Sequence, residues 1–194
     1  MGRARVKQWQ AARAEQSRLL WIAYAVSEVM SLLEIVTGIL VLSASLQADS
    51  LETGNSIAAS KPIVKDSLSR RQITNAALVG VICVVLFCFW IVGFGVWNLA
   101  HENLPRAFIM MAVGFLSLFA NIIILVLLRK RRLVNASINA AWGCARNGAV
   151  GNLGVIIAAA GVFITHQSWP DLVVALIMIP FVLRRAVRTM RDVK

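Results

Sequence analysis

Charged residues are scarce in this sequence of 194 residues. Only 15% of its residues are Asp, Glu, Lys or Arg, whereas 59% are apolar. A soluble domain has about a quarter charged residues and close to half apolar ones. The polar residues gather in short clusters, and the apolar runs between them are long enough to cross a bilayer, which takes about 20 residues. The composition therefore argues against a soluble domain and predicts an integral membrane protein.

Cysteine is also rare, and its three copies are not arranged as zinc-finger ligands. Cys83, Cys88 and Cys144 all lie in apolar runs, which makes a disulfide framework unexpected as well. The sequence contains no recognisable nucleophile–base pair and no metalloprotease motif, and the segments between the apolar runs are too short for a catalytic domain. We therefore expect neither an enzymatic activity nor a permanently bound cofactor.

Acidic residues are fewer than basic ones, nine against 20, so the net charge is +11. A nucleic-acid-binding protein can show such an excess, but it concentrates Lys and Arg on one exposed surface. Here the basic residues flank the apolar runs, where they set the orientation of a membrane protein. We expect contact with membrane lipid and no nucleic-acid partner.

Five apolar runs are clear, and a sixth segment is ambiguous. The clear runs predict membrane spans at Leu19–Leu46, Ile73–Ala100, Phe108–Leu128, Ile138–Thr165 and Leu172–Ala186. The first run is too long for the core of a cleavable signal peptide, so we expect it to be retained. The ambiguous segment, Asp49–Val64, is rich in polar residues, and hydropathy alone would make it a loop.

The distribution of basic clusters favours a sixth span. Such clusters lie at Arg3–Arg18, at Lys61–Arg71, at Arg129–Arg132 and at Arg184–Lys194. With five spans and a cytoplasmic N-terminus, two of these clusters would lie outside the cell, against the tendency of Lys and Arg to stay in the cytoplasm. If Asp49–Val64 also crosses the membrane, all of the clusters lie inside.

The sequence thus predicts an all-α bundle of six transmembrane helices over residues 19–186. Its second helix is polar, and we expect neighbouring helices to shield it. A basic segment, residues 1–18, and a basic tail, residues 187–194, would both lie in the cytoplasm. We expect no C-terminal soluble domain.

Acidic residues inside a membrane are costly and mark candidate functional sites. The candidates are Glu28, Glu34, Asp49 and Glu52. Glu34 shares a helix face with small polar residues, and it either pairs within the bundle or lines an ion path. Asp49 and Glu52 project from one side of the second helix and can hold a divalent cation, whose oxygen ligands would suit magnesium, manganese or calcium. The alternative is solvation at the membrane interface, with Asp49 capping its helix.

The fifth predicted helix carries a stripe of small residues. It consists of Cys144, Asn147, Gly151, Gly154, Ala158 and Gly161. Such a stripe lets membrane helices pack closely, which is its simplest interpretation. Cys144 and Asn147 could still act as metal ligands. Arg146 lies off the stripe and, if buried, needs a carboxylate of the first or second helix as its partner.

These residues resemble a known family. Ala140–Gly154, which reads AAWGCARNGAVGNLG, is similar to the fifth helix of the cation diffusion facilitators, and Trp169–Asp171 with the sixth helix continues the similarity. Leu32–Gly38 resembles the family's first helix, and Ala48–Glu52 resembles the start of its second. The resemblance implies a transmembrane domain that exports divalent metal ions in exchange for protons. It further implies a homodimer in the bacterial inner membrane with cytoplasmic termini.

The resemblance also implies a metal site with two ligands from the second helix and two from the fifth. The corresponding positions are Glu52 and Ser56, then Cys144 and Gly148, and they depart from the family's His or Asp. Serine is a poor ligand, and glycine has no side chain. We therefore predict that the metal ligands are Asp49, Glu52, Cys144 and Asn147. The transported ion would be zinc, cadmium, manganese or a similar metal.

The departures from the family pattern leave a second function open. A protein of the same fold could have lost transport and act by binding a partner helix along the small-residue stripe of the fifth helix.

Overall fold

The computed structural model describes residues 2–60, 70–130 and 136–191, and it confirms the predicted six-helix architecture. The helices are α1 (Gly2–Leu40), α2 (Ala44–Ser60), α3 (Arg70–Ala100), α4 (Ala107–Leu128), α5 (Ala136–Thr165) and α6 (Trp169–Arg191). In these ranges there is no β-strand. The side chains of Ser56 and of the basic segment Lys61–Arg71 lie outside the described residues.

The predicted first span was too long, because its apolar run contains a helix break. α1 ends at Leu40 and α2 begins at Ala44. Between them Leu42 adopts a left-handed conformation with φ of 63°. The Ser43 amide reaches back to the Gly38 carbonyl at 2.8 Å, as in a Schellman C-cap. Hydropathy misses this turn because its left-handed residue is leucine rather than glycine.

The second helix is enclosed by its neighbours, as predicted. Among the described helices, four are long and apolar enough to cross a membrane by themselves, over Ser17–Leu40, Ala77–Ala100, Ala107–Leu128 and Ser137–Thr165. The helix α2 is shorter and more polar, and it contacts α1, α3, α5 and α6. Protein rather than lipid therefore surrounds much of its backbone and most of its polar side chains.

The outer surface of the bundle is apolar. Large side chains such as Phe89, Phe108 and Ile164 are more than two-thirds exposed. Buried residues form small clusters between the helices, while many large apolar side chains lie on the outer surface of the described structure. This distribution is that of a membrane protein whose outer surface meets lipid.

Apart from Arg106 at the start of α4, the basic residues of the described helix ends lie together at one end of the bundle, which we call the basic end. The helix α2 runs back along α1, because the Ser31 hydroxyl donates to the Ser50 carbonyl at 3.0 Å. Tyr24 of α1 packs with Leu128, the last residue of α4. At the opposite end, the loop end, the amide of Arg106 donates to the Val41 carbonyl at 3.1 Å.

Candidate cation site

Polar side chains of α2 are buried in the middle of the bundle. They are Ser45, Gln47, Asp49, Ser50, Glu52 and Thr53, with Ser43 immediately before the helix. Because α2 is surrounded by four other helices, each of these groups needs a partner from within the protein. Three clusters follow one another along α2 from the loop end to the basic end.

The cluster nearest the loop end is centred on Asp171, in the first turn of α6. Its carboxylate accepts hydrogen bonds from the backbone amides of Ala44 at 2.5 Å and Ser45 at 3.1 Å. It also accepts from the hydroxyls of Ser43 at 2.9 Å and Ser45 at 2.5 Å. Asp171 therefore caps the N-terminus of α2 from another helix and neutralises the positive end of its dipole.

The start of α2 is also capped locally, and Asp49 is not its cap. The Ser43 hydroxyl accepts from the Leu46 amide at 3.2 Å, which is the geometry of an N-cap serine. Asp49 lies beyond the first turn and is 0% exposed. The interpretation of Asp49 as a solvated or capping residue was therefore wrong, because α2 begins five residues earlier than the sequence suggested.

The central cluster joins four helices. Asp49 of α2 interacts electrostatically with Glu34 of α1 and, to a smaller extent, with Glu52 of its own helix. The Glu34 carboxyl in turn meets the side chains of Ser117 in α4 and Asn152 in α5. Asp49 can lie against α5 because residue 151 is glycine, and a Cβ atom there would collide with the Asp49 carboxylate. Glu34, Asp49 and Asn152 are each at most 1% exposed.

Several oxygen atoms of the central cluster have no hydrogen-bond donor in the described structure. They are Oε2 of Glu34, both carboxylate oxygens of Asp49 and Oδ1 of Asn152. The Asn152 amide nitrogen is engaged, because it donates to the Gly148 carbonyl at 2.9 Å. The cluster is thus a buried group of acceptors.

The cluster nearest the basic end is built around Arg185 of α6. Its guanidinium donates to Oε1 of Glu52 at 2.8 Å. It also donates to the amide oxygen of Asn147 at 2.9 Å in the orientation that satisfies that amide. Two of the predicted metal ligands are therefore joined by a protein cation.

Arg146 does not have the role expected for it. Its side chain is exposed, and the guanidinium carbon lies 5.8 Å from the centre of the Trp142 ring. The arginine that meets a carboxylate of α2 is Arg185. The sequence had assigned Arg185 to the basic flank of the last span, but α6 continues to Arg191 and keeps Arg185 against α2.

Cys144 lies apart from the carboxylates. It belongs to an apolar cluster of α1, α4 and α5 that includes Tyr24, Leu128 and Ile138. One turn further, a Cβ atom at Gly148 would lie 2.9 Å from Nδ2 of Asn121, so α4 fills the space beside that glycine. This face of α5 is directed towards α1 and α4.

The other face of α5 packs against α2 and α6. A Cβ atom at Gly154 would lie 3.4 Å from Val174, and one at Gly161 would lie 2.8 Å from Pro170. The small residues of this face therefore allow close helix packing within the protein. Cys144 and Asn147, which the sequence pattern places on one stripe, lie on different faces of α5.

The four predicted metal ligands are thus divided among three places. Asp49 is in the central cluster, Glu52 and Asn147 contact Arg185, and Cys144 is in the apolar cluster. In the part of the chain that the structure describes, no three His, Cys, Asp or Glu side chains lie close enough to hold one metal ion. The prediction did not include Ser117, Asn152, Arg185 or Asp171. For Ser117 and Asn152 a signal existed, because both are polar residues inside apolar spans.

Comparison with known proteins identifies the family. No curated protein sequence matches the chain. A family model described as the cation efflux transmembrane domain matches residues 20–193, which include all six helices from the membrane part of α1 onward. With its six-helix bundle and its buried polar second helix, this chain belongs to the cation efflux family.

Proposed function

We propose that the protein exports a divalent metal ion in exchange for protons across the bacterial inner membrane. The observation that best supports this function is the central cluster, where Glu34 and Asp49 lie buried without a basic partner among the residues that the structure describes. Burying carboxylates in a membrane is costly, and where it occurs they commonly line an ion or proton path. The family to which the chain belongs supports the same activity.

We also propose that both termini lie in the cytoplasm and that the protein forms a homodimer. The orientation is supported by the collection of basic helix ends at one end of the bundle, since Lys and Arg are retained in the cytoplasm. Single cysteines introduced at Asn103 and Lys130 in a cysteine-free variant test it. A membrane-impermeant maleimide should label position 103 in intact cells and position 130 only after permeabilisation. The reverse pattern would contradict the orientation.

The homodimer is supported by the family resemblance.

The alternative of partner binding through the small-residue stripe has less support. Gly151, Gly154 and Gly161 already face Asp49, Val174 and Pro170 of the same chain. A partner helix could reach these glycines only if α2 or α6 moved away.

Transport can be measured with purified protein in proteoliposomes that enclose a metal-sensitive dye. An imposed pH gradient should drive Mn²⁺ flux by the wild type, and Asp49→Asn should reduce the rate at least tenfold. Glu28→Gln is the matched control, because Glu28 is an exposed acidic residue of α1. Absence of flux for manganese, zinc and cadmium in the wild type would refute the transport function.

A further inference from the structure

We propose that the transported cation is bound by Glu34 of α1 and Asp49 of α2, with Asn152 of α5 and Ser117 of α4 completing the site. This inference rests on the proposed transport function and names the ligands and the class of ion. It differs from the set predicted from the sequence, in which Asp49 was the only member of this group.

Several buried oxygen atoms of the central cluster lack hydrogen-bond donors in the described structure. The unpartnered oxygens of Glu34, Asp49 and Asn152 are all acceptors. Buried polar atoms are almost always hydrogen-bonded, and an unpartnered one calls for an explanation. A missing water would supply only two donors, whereas a cation attracts every one of these oxygens at once. A bound cation therefore explains the whole group.

The side chains of the central cluster come from four different helices. The Glu34 carboxyl lies beside the side chains of Ser117 and Asn152, and it interacts electrostatically with Asp49. Gly151 precedes Asn152 and leaves room for the Asp49 carboxylate against α5. Each of α1, α2, α4 and α5 thus contributes one side chain to a common point. Movement between these helices would change the site, as alternating access requires.

The side chains of the central cluster are all oxygen ligands. Two carboxylates, an amide oxygen and a hydroxyl are hard donors, which suit Mn²⁺, Mg²⁺ or Ca²⁺. Two carboxylates also match the charge of one divalent ion. Cys144, the one thiol in the predicted ligand set, lies in the apolar cluster with Tyr24 and Leu128. A soft-metal site at this point would lack its sulfur ligand.

The neighbouring carboxylate is already paired with a cation. Oε1 of Glu52 and the amide oxygen of Asn147 accept hydrogen bonds from Arg185. Oε2 of Glu52 has no donor in the described structure, but a metal ion bound there would be repelled by the adjacent guanidinium. The central cluster has no such internal competitor among the described residues. This difference separates the two possible positions of the ion.

Equilibrium Mn²⁺ binding to the purified protein, followed by electron paramagnetic resonance in detergent, tests the site. The wild type should bind one Mn²⁺ per chain. Glu34→Gln and Asp49→Asn should each weaken binding at least tenfold, and Asn152→Ala at least threefold. Glu28→Gln is the control and should stay within twofold of the wild type. Cys144→Ser should also stay within twofold, and Glu52→Gln, which removes only a charge that acts on Asp49, should weaken binding less than threefold. The ligand set predicted from the sequence requires both variants to weaken binding as strongly as Asp49→Asn.

Thermal unfolding without added metal checks that a loss of binding is not a loss of folding. Glu34→Gln and Asp49→Asn should unfold at or above the wild-type temperature, because each removes a buried negative charge that has no basic partner among the described residues. Adding Mn²⁺ should raise the unfolding temperature of the wild type but not that of these variants. Carboxylates with only a structural role would give the opposite result, with both variants less stable before metal is added.

The outcomes separate this site from the proposed function. Unchanged Mn²⁺ affinity in Glu34→Gln and Asp49→Asn would overturn the site, even if the wild type transports Mn²⁺. Binding that depends on Glu52 and Cys144 would overturn it as well. If binding depends on Glu34 and Asp49 but no flux is found in proteoliposomes, the site is supported and the transport function fails.

Discussion

Replacing Asp171 by asparagine should destabilise the bundle where α2 begins. In the native protein, one oxygen of Asp171 accepts from Ser43 and Ser45, and the other accepts from the Ala44 amide at 2.5 Å. The side-chain oxygen of an asparagine can still accept the hydrogen bonds from Ser43 and Ser45. The NH₂ group of the asparagine would then face the N–H of Ala44. One charge-assisted hydrogen bond, at about 1.5–3 kcal/mol, is lost, and a buried donor is left without an acceptor. We expect Asp171→Asn to lower the free energy of unfolding by about 3 kcal/mol in total.

This loss should be visible in thermal unfolding in detergent followed by tryptophan fluorescence. For a chain of this size, 1 kcal/mol corresponds to roughly 2–4 °C, so Asp171→Asn should lower the unfolding temperature by roughly 6–12 °C. Asp171→Ala, which removes every acceptor, should lower it further. Glu102→Gln is the control, because Glu102 is an exposed acid at the same end of the bundle. If Asp171→Asn unfolds within about 1 °C of the wild type, the carboxylate does not hold α2 against α6.

Two further predictions concern α5 and α6. Gly151→Ala should destabilise the protein by about 1–3 kcal/mol and weaken Mn²⁺ binding, because the new Cβ atom collides with Asp49. Gly154→Ala should be neutral or slightly stabilising, because its Cβ atom would lie at an ordinary 3.4 Å from Val174; equal unfolding temperatures for the two variants would contradict this. Arg185→Gln should cost about 1–3 kcal/mol, because it leaves the Glu52 carboxylate buried without its cation. Glu52→Gln in the same chain should recover part of that loss, and strictly additive effects in this double-mutant cycle would refute the coupling.

Much of the fold could be predicted because membrane insertion depends on local properties of the chain. The length of an apolar run and the position of Lys and Arg are both visible in the sequence, and they indicated six helices even though α2 is polar. The boundary between α1 and α2 could not be found in this way. It depends on the left-handed residue Leu42 and on the cap supplied by Ser43, and the run Leu19–Leu46 is apolar across that boundary.

The candidate site was only partly predictable. Glu34, Asp49 and Glu52 were recognisable because carboxylates in a membrane are costly wherever they occur. The partners of these carboxylates could not be recognised in the sequence. A basic or amide side chain acts as a partner only because the tertiary structure places its helix beside the carboxylate. Arg185 looked like part of the basic flank of a membrane span, and Arg146 looked like the partner of a carboxylate.

The sequence by itself determined that the chain crosses the membrane several times and that its second helix holds acidic groups. The tertiary structure decided which of those acidic side chains are paired with a basic side chain. Arg185 lies 2.8 Å from Glu52, although 133 positions separate them in the chain. Asp49, one turn from Glu52, instead meets Glu34 and the glycine at position 151. The physical reason is that a buried charge is stabilised by its neighbours in space, and helix packing alone determines those neighbours.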